Sequence, residues 1–413
     1  MKAKRILLVA QNFYPEFFKS NDIASELVER GYEVNVLTGI PNYPEGVFPK
    51  GYDVFKRRID EYKGAKVYRA FQIPRGRKAS GVRLAINYLS FVFTTTFWVL
   101  FFCVFKKRYD AIIIHQTSPI TQAWPGLLLG TIKRIPIYTW VLDIWPDAMR
   151  SGGGIKNETV ISWIDKFVQW VYRKSYKILI SSEDFRALIN RKANYDDKII
   201  YFPNWCDDML KMPIIESVPP LSGNFKVMMA GNLGRAQDIR TVMKAVLALK
   251  HREEIRWVFV GDGSERTYIE DFIAQNDIKT VTLTGKRPFE EMPIYYSQAN
   301  AMLLTLRAKF PHLKAVVPAR LQSYMSAGKP ILGMGDGGSV TIINKCQCGI
   351  CAAAADYNAL AANVLYAYEH QDELKTMGTN SRFYYEKLFT KDGCLTNLEI
   401  IINNGAEEIE HNL

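Results

Sequence analysis

Three glycine-bearing turns are the places in this chain where backbone alone can meet a ligand. They read Ala230-Gly231-Asn232-Leu233-Gly234, Val260-Gly261-Asp262-Gly263 and Thr284-Gly285-Lys286-Arg287-Pro288, and each follows an apolar run of strand type. Glycine permits close backbone approach, and a helix that starts after such a turn offers free N–H groups to a phosphate. Any one of them is equally a plain strand-to-helix connection. Three at the strand ends of one parallel sheet would converge on one place, a much stronger signal. In the first half, Asp143 closes IYTWVLD and His115 closes AIIIH, which puts two proton-carrying groups at strand ends. A turn or N-cap role before Pro146 competes for Asp143, and a hydrogen-bonding role in a cleft competes for His115. Glu45 lies in the NYPEG loop, where a turn role is open to it. No Asp-x-Asp occurs, so neither a divalent metal on a diphosphate nor any other cofactor is implied. Cys346-x-Cys348-x-x-Cys351 has metal-like spacing. With no His or fourth Cys nearby and Ile350, Ala352 and Ala353 alongside, it reads instead as a buried strand or turn.

The elements that must carry these residues alternate. Strands are predicted at 5–10, 33–38, 66–70, 111–115, 137–143, 177–181 and 199–202, with a helix at 21–30 ending at Gly31. PIIESVPPLSGN at 213–224 is the linker candidate. The pattern then restarts with strands at 226–230, 257–260, 281–284, 301–304 and 330–333, and helices at 239–251, 264–277, 290–298 and 319–327. Continuous apolar strands between helices mean parallel sheets covered on both faces. The fold class is α/β, as two doubly wound Rossmann-like domains: 1–210, a linker 211–224, 225–380, and a last helical segment 381–413.

With 413 residues, 48% of them hydrophobic and 52 Phe, Tyr and Trp together, the chain has apolar surface for two cores and is not a disordered or fibrous protein. Its +11 charge is uneven: residues 1–205 hold 31 basic and 18 acidic side chains, the remainder 22 and 24. This points to one domain facing an anionic partner such as membrane lipid, phosphate or nucleic acid. The leading Met-Lys-Ala-Lys-Arg runs straight into a strand, so no secretory signal is expected, and free cysteines suit a reducing cytosol. Ala85–Phe105, AINYLSFVFTTTFWVLFFCVF, has no charge and is flanked by Arg83 and by Lys106-Lys107-Arg108. A transmembrane span is disfavoured, because residues 1–80 already read as half of a domain. A buried core helix and a helix dipping aromatic rings into a bilayer surface remain as alternatives.

The succession AGNLG, VFVGDGSER, LTGKRPFEEMPIYYSQAN and PARLQSYMSAGKPIL resembles the nucleotide-binding domain of GT-B glycosyltransferases of family GT4. QNFYPE, TGIPNYPEG, HQTSPI, VLDIWPD, SSEDF and YFPNW follow the same family's order in the first domain. Within it the chain is most similar to the WbuB-type branch, which transfers N-acetylated deoxyhexosamines such as L-fucosamine in O-antigen and capsule assembly. The resemblance implies two Rossmann-like domains facing a cleft, with a final helix (around Phe383–Ile402) crossing back to the first. It further implies a metal-independent, retaining transfer from a UDP-sugar to a polyprenyl-diphosphate-linked sugar. The enzyme would be held peripherally on the anionic cytoplasmic face of a bacterial inner membrane, with no nucleic acid as partner. Gly231, Asn232, Gly261, Lys286, Arg287, Arg320 and Ser323 would serve the donor, Asp143 and His115 the chemistry, and Tyr14 and Glu45 the acceptor sugar. The chain departs from the family in three ways: Ala315 and Ser323 replace its two glutamates, Asn232 and Gln237 stand where cations are usual, and Pro15–Lys19 lacks the glycine turn. A binding protein without turnover, or an epimerase of the same fold, remains the alternative.

Overall fold

The computed structural model describes residues 4–404 apart from 78–79, 106–108, 152–156, 214–217 and 308–310. The basic flank Lys106–Arg108 and the middle of the expected linker lie outside the described residues. Among the described residues two units emerge: 4–181 with Phe185–Phe202 and 395–404, and Ser182–Asp184 with Pro203–Cys394.

The first unit is an eight-stranded sheet: β1 (Arg5–Val9), β2 (Glu33–Gly39), β3 (Ile59–Tyr62), β4 (Ala65–Ala70), β5 (Ala111–Gln116), β6 (Ile137–Val141), β7 (Lys177–Ile180) and β8 (Ile199–Tyr201), ordered β3-β4-β2-β1-β5-β6-β7-β8. Every pairing except β3 with β4 is parallel, and Leu8 of β1 sits between Val36 and Ile113. Both faces of β1, β5 and β6 are buried, which is why these strands read as unbroken apolar runs. The sequence reading missed β3. Lys63 and Gly64 both take positive φ, 46° and 82°, and make the two-residue hairpin that folds it onto β4.

Gly81–Phe105 is one 25-residue helix. Its stretch Gly81–Phe101, of mean hydropathy 1.6, is long and apolar enough to cross a bilayer. One face is tied to the first unit: Asn87 Nδ2 donates to Ile73 O at 2.6 Å, Thr94 Oγ1 to Phe71 O at 2.6 Å, and Trp124 Nε1 to Thr96 Oγ1 at 2.9 Å. Asn87, Phe91, Thr95 and Val99, at helical spacing, are buried on that face. On the other side Val82, Ile86, Leu89, Phe93, Phe97 and Phe101 are exposed. The helix is therefore core along one side and bare apolar surface along the other. Not every ring of the helix is on that side: Phe91 is fully buried, and Trp98 packs on Tyr68 at 5.5 Å.

The second unit contains β9 (Phe225–Ala230), β10 (Ile255–Val260), β11 (Val281–Gly285), β12 (Ala301–Thr305), β13 (Ile331–Met334) and β14 (Gly349–Ala352), all parallel in the order β11-β10-β9-β12-β13-β14. Alternate residues feed two cores, Met228, Val258 and Met302 on one face against Val227, Trp257 and Leu303 on the other. The order reverses between β9 and β12, so the carboxyl end of β9 is the switch point where ligands of such sheets bind. The cysteine motif belongs to this packing, with Cys351 in β14 and Cys346 and Cys348 in the core.

The passage between units falls at Phe202–Pro203 rather than at 211–224. Asp208 accepts both Nη1 and Nη2 of Arg382, at 2.6 and 2.7 Å, and Cys206 N donates to Phe389 O, so this stretch is fastened to the second unit. The return begins at Leu395, later than 381, within the helix Lys391–Asn404. Its Glu399 pairs with Arg30 at 3.0 Å and accepts Tyr32 Oη at 3.0 Å in the first unit.

Candidate functional site

Each unit gathers functional side chains at its own strand ends. In the second, the turn after β9 is built by backbone contact. Gly231 takes φ +106° and donates to Val260 O at 2.8 Å. Gly261 takes φ +147°, and a Cβ there would lie 1.9 Å from Gly231 O, so no other residue fits. Tyr324 Oη donates to Ala230 O and accepts its N–H, pinning the strand end from the helix Arg320–Ser326. From the same helix, Arg320 Nη2 donates to Asn232 O at 3.0 Å, while its buried Nη1 has no partner. That contact fixes the guanidinium over the turn. Ser323 lies one turn along, its Oγ 3.2 Å from Cys206 Sγ. Gln237 is used inside the turn, accepting Gly234 N–H at 3.0 Å.

Lys286 and Arg287 are exposed, and Arg287 Nε caps Thr284 O at 3.1 Å. They border the sheet end as ordinary surface cations. The sequence reading missed a closer group: Arg235, Arg240 and Arg307 line a cavity of about 300 Å³ with Glu265. Glu265 is buried and pairs with Arg240 at 3.0 Å and Arg235 at 3.4 Å. The signal was present as Gly234-Arg235 and Glu265-Arg266, but only folding brings the arginines round one carboxylate.

In the first unit Asp143 lies two residues beyond the end of β6. Its Oδ2 accepts Ser118 Oγ at 2.7 Å, and Ser118 in turn accepts Trp145 Nε1 at 3.0 Å. Gln116 Nε2 donates to Asp143 O at 3.2 Å, so carboxylate and backbone are both fixed from the β5 side. His115 does not fit the role of base. It is 2% exposed, and burial drives its pKa down to about 3, so the ring stays neutral with Nε2 unpartnered. Its neighbours are Trp140 and Phe18, at ring distances of 5.3 and 6.3 Å.

Glu16, in the QNFYPE loop, is the residue sequence reasoning passed over. One carboxylate oxygen accepts the N–H groups of Asn42 and Tyr43, each at 2.6 Å, and the other is buried without a partner. Burial pushes this carboxyl up to about 7, against the pull of both N–H groups and of Arg75 and Arg69. Tyr14, in the same loop, stacks on Tyr62 at 4.7 Å, and its N–H is held by Asn21. Glu45 is exposed, with no hydrogen bond or ion pair to a described residue. Among the described residues no cluster of His, Cys, Asp and Glu has the makings of a metal site.

Residues 20–205 match the family described as Glycosyl transferase 4-like domain, and residues 213–383 the family Glycosyl transferases group 1. The probable glycosyltransferase WbjE of Pseudomonas aeruginosa is 22% identical over 282 residues, 65% of this chain and 67% of that protein. The putative colanic acid biosynthesis glycosyl transferase WcaI of Escherichia coli strain K12 is 21% identical over 342 residues, 78% of this chain and 81% of its own. Among solved structures, Anabaena Alr3699/HepE in complex with UDP and glucose has a TM-score of 0.67 at 15% identity, covering 96% of this chain and 98% of its own.

Proposed function

This chain belongs to the GT-B glycosyltransferases, and from that premise we propose that it transfers a sugar from a UDP-sugar to a polyprenyl-diphosphate-linked sugar in surface-polysaccharide assembly. The observation that carries the lipid-linked acceptor is the bare apolar side of the Gly81–Phe105 helix, on the half of the chain that holds the basic excess. A sugar carrier that cannot leave the bilayer requires its enzyme to come to the surface. A basic face and a row of apolar side chains do that together. Attachment is monotopic, on the cytoplasmic face of the inner membrane.

The donor lies at the β9 switch point. Leaving-group charge builds on its diphosphate as the glycosidic bond breaks, and Arg320 with the Gly231 turn stabilises that charge without a metal. UDP is the proposed nucleotide because HepE, of the same fold, holds UDP and glucose. Asp143, fixed by Ser118, accepts the acceptor hydroxyl proton as the new bond forms. The proposed sugar is an N-acetylated deoxyhexosamine of the L-fucosamine type, for the O-antigen and capsule roles of the WbuB-type branch. Support for that assembly role comes from WcaI, whose description places it in colanic acid biosynthesis.

Incubation with labelled UDP-N-acetyl-deoxyhexosamines and polyprenyl-diphosphate-sugar in vesicles tests this. Transfer of label to lipid is expected. Absence of both transfer and UDP binding would overturn the donor, and transfer only to soluble sugars would overturn the acceptor. Leu89, Phe93 and Phe97 changed together to Ser should release the protein from vesicles while it stays folded.

A further inference from the structure

The first unit also contains arginines that the proposed reaction leaves unused. Arg75 is fixed by its backbone: its N–H donates to Asn42 Oδ1 at 3.2 Å, and the loops on either side clasp through Gly76 N to Gly46 O at 2.7 Å. That clasp tolerates no side chain, because a Cβ on Gly46 would lie 2.1 Å from Gly76 O. The guanidinium is half-buried over the rings of Tyr43 and Tyr88, at 5.1 and 5.8 Å. Its Nε is buried without a partner, and its guanidinium makes no hydrogen bond or ion pair among the described residues.

Arg69, at 3% exposure, lies over the ring of Tyr52 at 5.0 Å. Its guanidinium is ion-paired with Asp60 Oδ2 at 3.5 Å, and its nitrogens make no closer hydrogen bond to a described residue. Glu16 is the carboxylate both arginines feel, and one of its oxygens is also buried and unpaired. Buried charged groups are seldom left so incompletely matched unless a ligand completes them. A guanidinium held near tyrosine rings without using its hydrogen-bonding nitrogens keeps those nitrogens for phosphate oxygens, which arginine can take two at a time. The location narrows the ligand. Arg83 Nε donates to Pro74 O at 2.9 Å, and Val82, beside it, is the first exposed residue of the apolar row.

We propose that Arg75, with Arg69 and Glu16, binds the diphosphate of a membrane-held acceptor at the foot of the Gly81–Phe105 helix. This rests on the lipid-linked acceptor proposed above and says how this chain grips it where the Pro15–Lys19 loop has no glycine turn. The bound anion and the Glu16 carboxylate repel each other, so binding favours a protonated Glu16. The groups facing that carboxyl are Arg75, Arg69 and the Asn42 and Tyr43 N–H groups.

The test uses the full chain with inorganic pyrophosphate, then phosphatidylcholine vesicles with and without polyprenyl diphosphate, then phosphatidylglycerol vesicles. Arg75→Gln should bind pyrophosphate and polyprenyl-diphosphate vesicles at least ~10-fold more weakly than wild type, and phosphatidylglycerol vesicles within about twofold. Unchanged UDP binding and melting temperature would show that the variant is folded, and Arg75→Lys should recover part of the loss. Glu16→Gln should bind pyrophosphate several-fold more tightly than wild type at pH 8 and equally at pH 6. Wild-type affinity in Arg75→Gln would overturn the site. An equal loss on phosphatidylglycerol would assign Arg75 to lipid headgroups and overturn the acceptor diphosphate. Failure of the parent proposal is separable: wild type would then bind pyrophosphate through Arg75 yet transfer no sugar to lipid.

Discussion

The strand ends of the two units differ in the kind of groups they gather. The second unit uses backbone and permanent cations: Gly231 and Gly261 in contact, and Arg320 fixed on Asn232 O. The first has buried titratable groups beside its cations Arg75 and Arg69: Glu16 is pushed up to about 7, and the neutral His115 down to about 3. A site of glycine turns and guanidinium groups is insensitive to pH, because none of its parts changes charge in the physiological range. A site of buried carboxyl and imidazole carries its environment in its protonation, and conditions can tune it.

The sharpest break of this contrast is Asp143→Asn, which removes a carboxylate while keeping size and most hydrogen bonding to Ser118. Turnover should fall about 10²–10⁴-fold with UDP affinity intact. Normal turnover would reduce Asp143 to a turn residue and leave the first unit's chemistry to Glu16. Next is Gly261→Ala, whose Cβ would meet Gly231 O at 1.9 Å with φ at +147°. A loss of roughly 3 kcal/mol or more in urea unfolding is expected, whereas Gly51→Ala in the first unit, where φ is +88° and space is open, should cost about 1 kcal/mol.

The pH dependence separates the units directly. Glu16 ionises near 4.5 in the unfolded chain but near 7 in the folded one, so the folded state keeps a proton the unfolded state has released. Stability contributed by Glu16 therefore falls as pH rises across that window, by roughly 3 kcal/mol, and is flat above it. Glu16→Gln should gain on wild type over the same range in urea titrations. His115 works the other way: with a folded pKa near 3 against 6.5 unfolded, its contribution is lost as pH falls below 6.5. The smallest effect expected is Arg320→Ala, which should weaken UDP binding by about 1.5–3 kcal/mol in calorimetry, equally at pH 6 and 9. A pH-dependent loss would mean that a titrating neighbour shares the donor phosphates.

Much of this was legible in the sequence because it is local. Apolar runs such as RILLV and KVMMA specify buried parallel strands, and AGNLG and VGDGS specify turns that only glycine can make. The uneven charge and the apolar segment before Lys106 were visible in the same way. Tertiary structure decided what depends on distant residues meeting. Which side of the Gly81–Phe105 helix is bare follows from Asn87, Thr94 and Thr96 finding Ile73, Phe71 and Trp124. His115 lost its candidacy as a base to desolvation beneath Phe18 and Trp140, and Glu16 became notable when the N–H groups of Asn42 and Tyr43 closed on it. Residue type and spacing determine the backbone, but the pKa of a side chain depends on how much water its neighbours remove, and those neighbours lie far off in sequence.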